Sequence, residues 1–219
     1  MKITSEIFQV GGPGLSDSSD AAVYLINSGD DAVIIDSGTG KGTKNLIRNI
    51  QNTGVELQSV KYLFLTHCHY DHTGGAEKIR ELTGCKIIAH KLDAVFLENG
   101  DSETTAASWY GTRMVPLKID IKPDGDCKDF TVGKLTLKFI HTPGHSPGSS
   151  VITVTSDNMS VLFGQDIHGP LDKALRSDRN DYQSSLKFLI SLNADILCEG
   201  HFGIYKGKDN VRKFIESYL

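Results

Sequence analysis

A chain of 219 residues, 39% hydrophobic and 23% charged, has the size of one globular domain and can bury a core large enough to stand without disulfide staples. Its 23 Lys and Arg against 27 Asp and Glu leave a formal charge of −4, with no basic run longer than two residues, which argues against work on nucleic acid or an anionic membrane through a basic face. The four cysteines (Cys68, Cys85, Cys127, Cys198) are scattered, the opening Met1 to Glu6 lacks the charged-then-apolar pattern expected of a leader, and no apolar stretch approaches the roughly 18 residues of a membrane span. The expectation is a reduced, cytoplasmic protein with one domain over residues 1–219.

In chain order, Ala21 to Ile26 and Ala32 to Asp36 flank the turn signal Asn27-Ser28-Gly29-Asp30 and read as a β-hairpin. Leu46, Ile47, Ile50 and Val55 then recur at helical spacing, with Gly54 as a stop signal. Val60 to Leu65 is a buried strand that runs straight into His67. Ala76, Ile79, Arg80 and Leu82 predict a helix closed by Gly84, and Lys86 to Ala89 a short strand. Lys91 to Pro116 carries the least pattern. The second half repeats the order: Lys134 to Ile140 alternates as a strand, and Val151 to Val154 and Ser160 to Phe163 follow. A helix from about Asp181 to Asn193 shows Leu186, Leu189, Ile190 and Leu192 on one broad face. Ile196 to Cys198 is a last strand, and Val211, Phe214, Ile215 and Tyr218 mark a terminal amphipathic helix. Strands followed by helices in both halves predict sheets packed together with helices outside.

The decisive string is Thr66-His67-Cys68-His69-Tyr70-Asp71-His72-Thr73-Gly74-Gly75, which places four potential metal ligands in six residues directly after a buried strand. Imidazole and carboxylate suit zinc, iron or manganese, and a short loop lets such side chains converge. Three further candidates each end a predicted strand: His145 in Thr142-Pro143-Gly144-His145, Asp166 in Gly164-Gln165-Asp166, and His201 in Glu199-Gly200-His201. Each is weak alone; together with the first cluster they form one rim. Cys68, between alternating ligands, should point away from a metal. His90 reads as structural. His141 reads equally as a support for a ligand or as a surface turn residue.

These residues, in this order, together with Val23 to Ile26 and Ile34-Ile35-Asp36-Ser37-Gly38, resemble the metallo-β-lactamase superfamily over nearly the whole chain. The resemblance implies an α/β fold, an αβ/βα sandwich of two mixed β-sheets with outer helices, and a dinuclear site on one edge. It implies that His67, His69 and His145 hold one divalent ion, that Asp71, His72 and His201 hold another, and that Asp166 bridges them, with zinc the first expectation and iron or manganese the alternatives. The implied chemistry is hydrolysis by a hydroxide shared between the metals, with Asp71 orienting it and moving a proton. Asp36 would support the site loop. His168, Tyr110 and Tyr182 are candidates for a general acid.

Subgroup patterns narrow this further. An Asp166 bridge with His72 departs from true β-lactamases, His69 stands where flavodiiron proteins have Glu, and the length and charge do not fit the nuclease members. Glyoxalase II-type thiolester hydrolases and lactonases share all seven positions, but the glutathione-gripping extension of glyoxalase II has no room in the 18 residues after His201. The pocket is therefore expected from Phe96 to Pro116, with Trp109 and Tyr110, and from Ile167 to Asn180, with Arg176 and Arg179 offered to an anionic tail. The expected function is a metal-dependent hydrolase of small thiolesters, lactones or esters. The alternative is a mononuclear iron persulfide dioxygenase using His67, His145 and Asp166. The expected partner is a small-molecule substrate, with neither nucleic acid nor membrane, and a homodimer is among the open assembly states.

Overall fold

The apolar runs near the start carry no polar alternation because their strands are covered on both faces. In the computed structural model, which describes residues 1–219, alternate residues of each strand serve two different cores. The first sheet holds β1 (Ile7–Gly11), β2 (Val23–Asn27), β3 (Ala32–Ile35), β4 (Val60–Phe64) and β5 (Lys86–Ile88), in the order β1-β2-β3-β4-β5. The first three strands are antiparallel and the last three parallel. Leu25, Ile34, Leu63 and Leu65 face outward onto Leu46 and Ile50 of α1 (Thr43–Gln51), Ile79 of α3 (Ala76–Thr83), and Ala94 and Leu97 of α4 (Lys91–Asn99). Their neighbours Tyr24, Ile26, Val33, Ile35 and Phe64 face inward. Between β4 and α3 lies a single turn, α2 (Tyr70–Thr73).

The second sheet runs β11-β10-β9-β8-β7-β6, from β6 (Cys127–Val132), β7 (Leu135–His141), β8 (Ser150–Ser156), β9 (Met159–Phe163), β10 (Ile196–Cys198) and β11 (Ile204–Lys206). Only β9 and β10 pair in parallel, because the chain between them crosses over through α5 (Arg179–Ser191). Phe130, Leu137, Phe139, Ile152, Val154, Val161 and Phe163 meet the inward face of the first sheet. Ile140, Val151, Leu162 and Leu197 turn outward onto Leu186 and Leu189 of α5 and Val211 and Ile215 of α6 (Lys208–Glu216). The result is the predicted helix, sheet, sheet, helix sandwich. At its centre Phe64 is fully buried, edge-on to Phe130 at 5.1 Å between ring centres and stacked on Phe139 at 6.1 Å. No helix is long and apolar enough to cross a membrane.

The fold departs from the sequence reading at α4, β1, β6 and β11. Lys91–Asn99 lacked helical pattern because Leu92 and Val95 lie exposed while Ala94 and Leu97 are buried, so apolar residues occupy both faces. Its start is nonetheless capped: the His90 ring accepts from the Leu92 amide, and Gly100 closes the end in the left-handed region. β6 and β11 are edge strands, whose exposed Cys127, Lys128, Asp129 and Lys206 mask the period. α5 begins at Arg179, earlier than predicted, because Asp178 caps the Asn180 and Asp181 amides.

Candidate metal centre

The residues that gather here stand on loops leaving strands of both sheets. Asp36, just past β3, takes up a left-handed backbone (φ 61°) that a non-glycine residue tolerates only where its surroundings over-determine it. They do: its carboxylate accepts from the Thr66 amide (2.8 Å) and hydroxyl (2.9 Å), and from Nδ1 of His72 (2.8 Å). One side chain thus holds both ends of the His67 to His72 loop.

Three of the imidazoles, those of His67, His72 and His145, are oriented by the nitrogen that faces away from the centre. His72 donates Nδ1–H to Asp36, and His145 donates Nδ1–H to the Pro170 carbonyl (3.0 Å), which turns both Nε2 atoms inward. His67 Nδ1 meets the Thr66 hydroxyl at 3.1 Å. Inside, His69 Nδ1 lies 3.0 Å from His67 Nε2 and 3.0 Å from His145 Nε2, with all three rings buried. Three nitrogens so close cannot all be satisfied by one another's protons. A shared cation resolves that conflict.

Asp166 joins this group and reaches a second. Its Oδ2 lies 3.5 Å from His145 Nε2 and 3.4 Å from His201 Nε2, and its Oδ1, which has no properly directed hydrogen bond, lies 3.1 Å from His72 Nε2. Asp71 Oδ2 stands 3.1 Å from His201 Nε2. Two adjoining sets result, His67, His69, His145 and Asp166 in one and Asp71, His72 and His201 in the other, each with donor atoms close enough to share one ion. Gly200 makes the approach possible, since a Cβ there would fall 2.2 Å from Asp166 Oδ1 and 3.1 Å from His72 Cε1. All seven residues singled out in the sequence are brought together, and the oxygen and imidazole donors suit a divalent ion.

The electrostatics differ between the two sets. Burial, then the neighbouring imidazoles, push His67 well below the usual histidine range; burial and His145 push His69 down to about 3. Burial works the same way on His72 and His201 but is outweighed by carboxylates: Asp166, Asp36 and Asp71 raise His72, and Asp166 and Asp71 lift His201 to about 10. Without metal, His67 and His69 are therefore held toward the neutral imidazole, and His201 in the second set toward the imidazolium. Near pH 7, loading the second set should therefore release protons, from His201 at least, beyond any that His67 and His69 release in the first, and its affinity should fall as pH is lowered. Calorimetric titration in buffers of different ionisation enthalpy checks this; equal proton release at both steps would contradict it.

A cleft of about 240 Å³ opens onto the centre, lined by Ala106, Trp109, Tyr110, Pro170, Leu175 and His168 beside the ligands. Tyr110, raised by burial and by Asp71, stays a phenol, and Tyr182 is spent on the Ile167 carbonyl. His168 is held by Nδ1 on Oε1 of the fully buried Glu199 (2.8 Å), whose Oε2 receives the His201 and Phe202 amides. Glu199 therefore steadies a ligand loop and a cleft residue at once, a role its place in Glu199-Gly200-His201 hid. The expected cationic contact is absent: Arg176 lies over the Phe96 ring at 5.1 Å and the exposed Arg179 begins α5, so neither lines the cleft. Cys68 points away into the core, as expected. His141 touches no ligand; it donates to the Pro147 carbonyl (2.9 Å) and stacks on His90 at 3.8 Å, bracing the loop that carries His145.

The family model of the metallo-beta-lactamase superfamily matches residues 19–201. A protein of Methanocaldococcus jannaschii described as a probable metallo-hydrolase is 32% identical over 74% of this chain and 72% of its own length. A probable metallo-hydrolase of Bacillus subtilis is 26% identical over 81% of this chain and 79% of its own length. Among solved structures, a motif mutant of a metallo-beta-lactamase from Cronobacter sakazakii superposes with a TM-score of 0.83 at 20% identity, covering 100% of this chain and 92% of that one. A subclass B3 metallo-beta-lactamase of Bradyrhizobium japonicum does so at 0.81 with 22% identity, over 100% of this chain and 89% of that one.

Proposed function

The chain belongs to the metallo-beta-lactamase superfamily, and from that premise we propose that it is a dinuclear metal-dependent hydrolase of small, uncharged thiolesters, lactones or esters. The observation that carries the reading is the pair of adjoining donor sets with their ligand nitrogen and oxygen atoms already gathered inward. His67, His69 and His145 would hold one ion and Asp71, His72 and His201 the other, with Asp166 between them; zinc fits the mixed imidazole and carboxylate donors best. Bound there, divalent cations supply activation of water near neutral pH and polarisation of the attacked carbonyl.

The chain's own residues do the rest. Asp71, held ionised by His72 and His201 against the cost of burial, faces the cleft and orients the attacking water as a hydrogen-bond acceptor. Tyr110 offers a phenolic O–H to the substrate, and Trp109, Ala106, Pro170 and Leu175 exclude water from its apolar part. With no Lys or Arg on the cleft, an anionic tail has no partner there, which favours a neutral acyl group. A mononuclear iron oxygenase would need only His67, His145 and Asp166, leaving the aligned second set without a purpose.

Metal analysis of protein purified without added metal, beside turnover on thiolester, lactone, phosphodiester and β-lactam panels, tests this. Two equivalents of metal with hydrolysis of neutral thiolesters or lactones support it; oxygen uptake with a thiol persulfide and one iron per chain sink it. Within that panel, Trp109→Ala should lower kcat/KM for medium-chain acyl substrates by about tenfold while sparing acetyl ones, the size expected of a lost apolar contact.

A further inference from the structure

α4 carries a buried carboxylate that the hydrolytic reading leaves unused. Asp93 lies in its first turn, fully buried, with its backbone amide bonded to the His90 carbonyl (3.0 Å). Burial pushes the carboxyl up, and three donors pull it back. These come from two separate loops. The Cys68 amide reaches Oδ2 at 2.8 Å from the loop of His67 and His69; the Ser146 hydroxyl reaches Oδ2 at 2.6 Å, and the Gly148 amide Oδ1 at 2.6 Å, from the loop of His145. Ser149 closes the second loop on itself, its hydroxyl accepting the Ser146 amide at 2.9 Å. The contact tolerates no side chain at position 148, where a Cβ would fall 2.5 Å from the Asp93 nitrogen and 2.7 Å from its Cγ.

We propose that Asp93 is the positioning residue that sets the separation of these two loops, and through it the loading of the first metal set alone. The idea rests on reading that set as a cation site. His67 and His69 belong to the first sheet's half of the chain and His145 to the second, and no other side chain bonds both loops through their backbones. The second set has braces that Asp93 does not share, His72 by Asp36, which also holds the Thr66 end of that loop, and the His201 loop by Glu199. A carboxylate suits the task because it accepts from every side. In Asp93→Asn the amide group would turn a donor toward the Gly148 or the Cys68 amide, and one loop would move away.

The test isolates each set in a background lacking the other, with zinc affinity of metal-free protein measured by chelator competition. In His201→Ala protein, which retains the first set, adding Asp93→Asn should weaken zinc binding by roughly 10- to 100-fold, the range for supports of metal ligands. In His67→Ala protein, which retains the second set, the same change should leave the affinity within about threefold, below that range. Ser146→Ala, which removes one of the three bonds, should give a smaller loss confined to the first set, and serves if Asp93→Asn does not fold. Equal weakening of both sets would mark Asp93 as merely structural and overturn the proposal, as would unchanged affinity in both. Unaltered protein that binds no zinc would instead sink the metal reading itself.

Discussion

Asp166→Ala is expected to lower turnover by roughly a thousandfold or more, since several kcal/mol of metal-borne stabilisation are at stake and each 1.36 kcal/mol is tenfold in rate. No other ligand reaches both sets so closely: Asp166 stands within 3.5 Å of His145, His201 and His72. Its removal should therefore cut bound metal at both sets, whereas His69→Ala should deplete the first set and leave the second able to bind. Elemental analysis beside kcat on the best substrate separates the two. An Asp166→Ala protein that keeps two metal equivalents and most of its activity would rule out a bridging role. Loss of activity with metal retained would assign the carboxylate to the chemistry instead.

Phe64→Ala should be the costliest single change to the fold. Phe64 is fully buried where the sheets meet, with Phe130, Phe139 and Tyr62 around it, so truncation leaves a cavity that neither sheet can collapse into without the other. Loss of about 3–5 kcal/mol is expected, and for a chain of this size a fall in Tm of roughly 10 °C. Urea unfolding of metal-free protein should show a lower midpoint with unchanged slope. A cost below about 1 kcal/mol would mean that the ring lies in a site able to repack, contrary to native packing density.

Much of this architecture was legible because burial on both faces writes itself as unbroken apolar runs, at Val23 to Ile26, Ile34 to Ile35 and Leu63 to Leu65. The seven clustered residues were legible for a different reason: charge and imidazole at the ends of such strands have few structural explanations. What stayed hidden was support. Asp93 could not be read because its helix shows apolar residues on both faces, and a lone Asp in an unassigned segment signals nothing. Glu199 stood next to a noted ligand, yet its work is done through two backbone amides and a ring 31 residues away in sequence. Arg176 misled because sequence proximity to Asp166 says nothing of direction, and its guanidinium prefers the Phe96 face.

The distribution of the ligands along the chain has a consequence for biosynthesis. His67, His69, Asp71 and His72 leave the ribosome well before His145, Asp166 and His201; at typical elongation rates the interval to the last of them is on the order of ten seconds. During that interval the nascent chain carries a four-donor fragment with no second sheet to shape it, and any cation it captures favours the unfolded state. Geometry that discriminates among metals exists only once β10 has slotted between β9 and β11 and brought in His201. An ion enclosed at that moment spans both halves of the sandwich. The two donor sets are therefore complete only when both halves of the chain have folded onto each other.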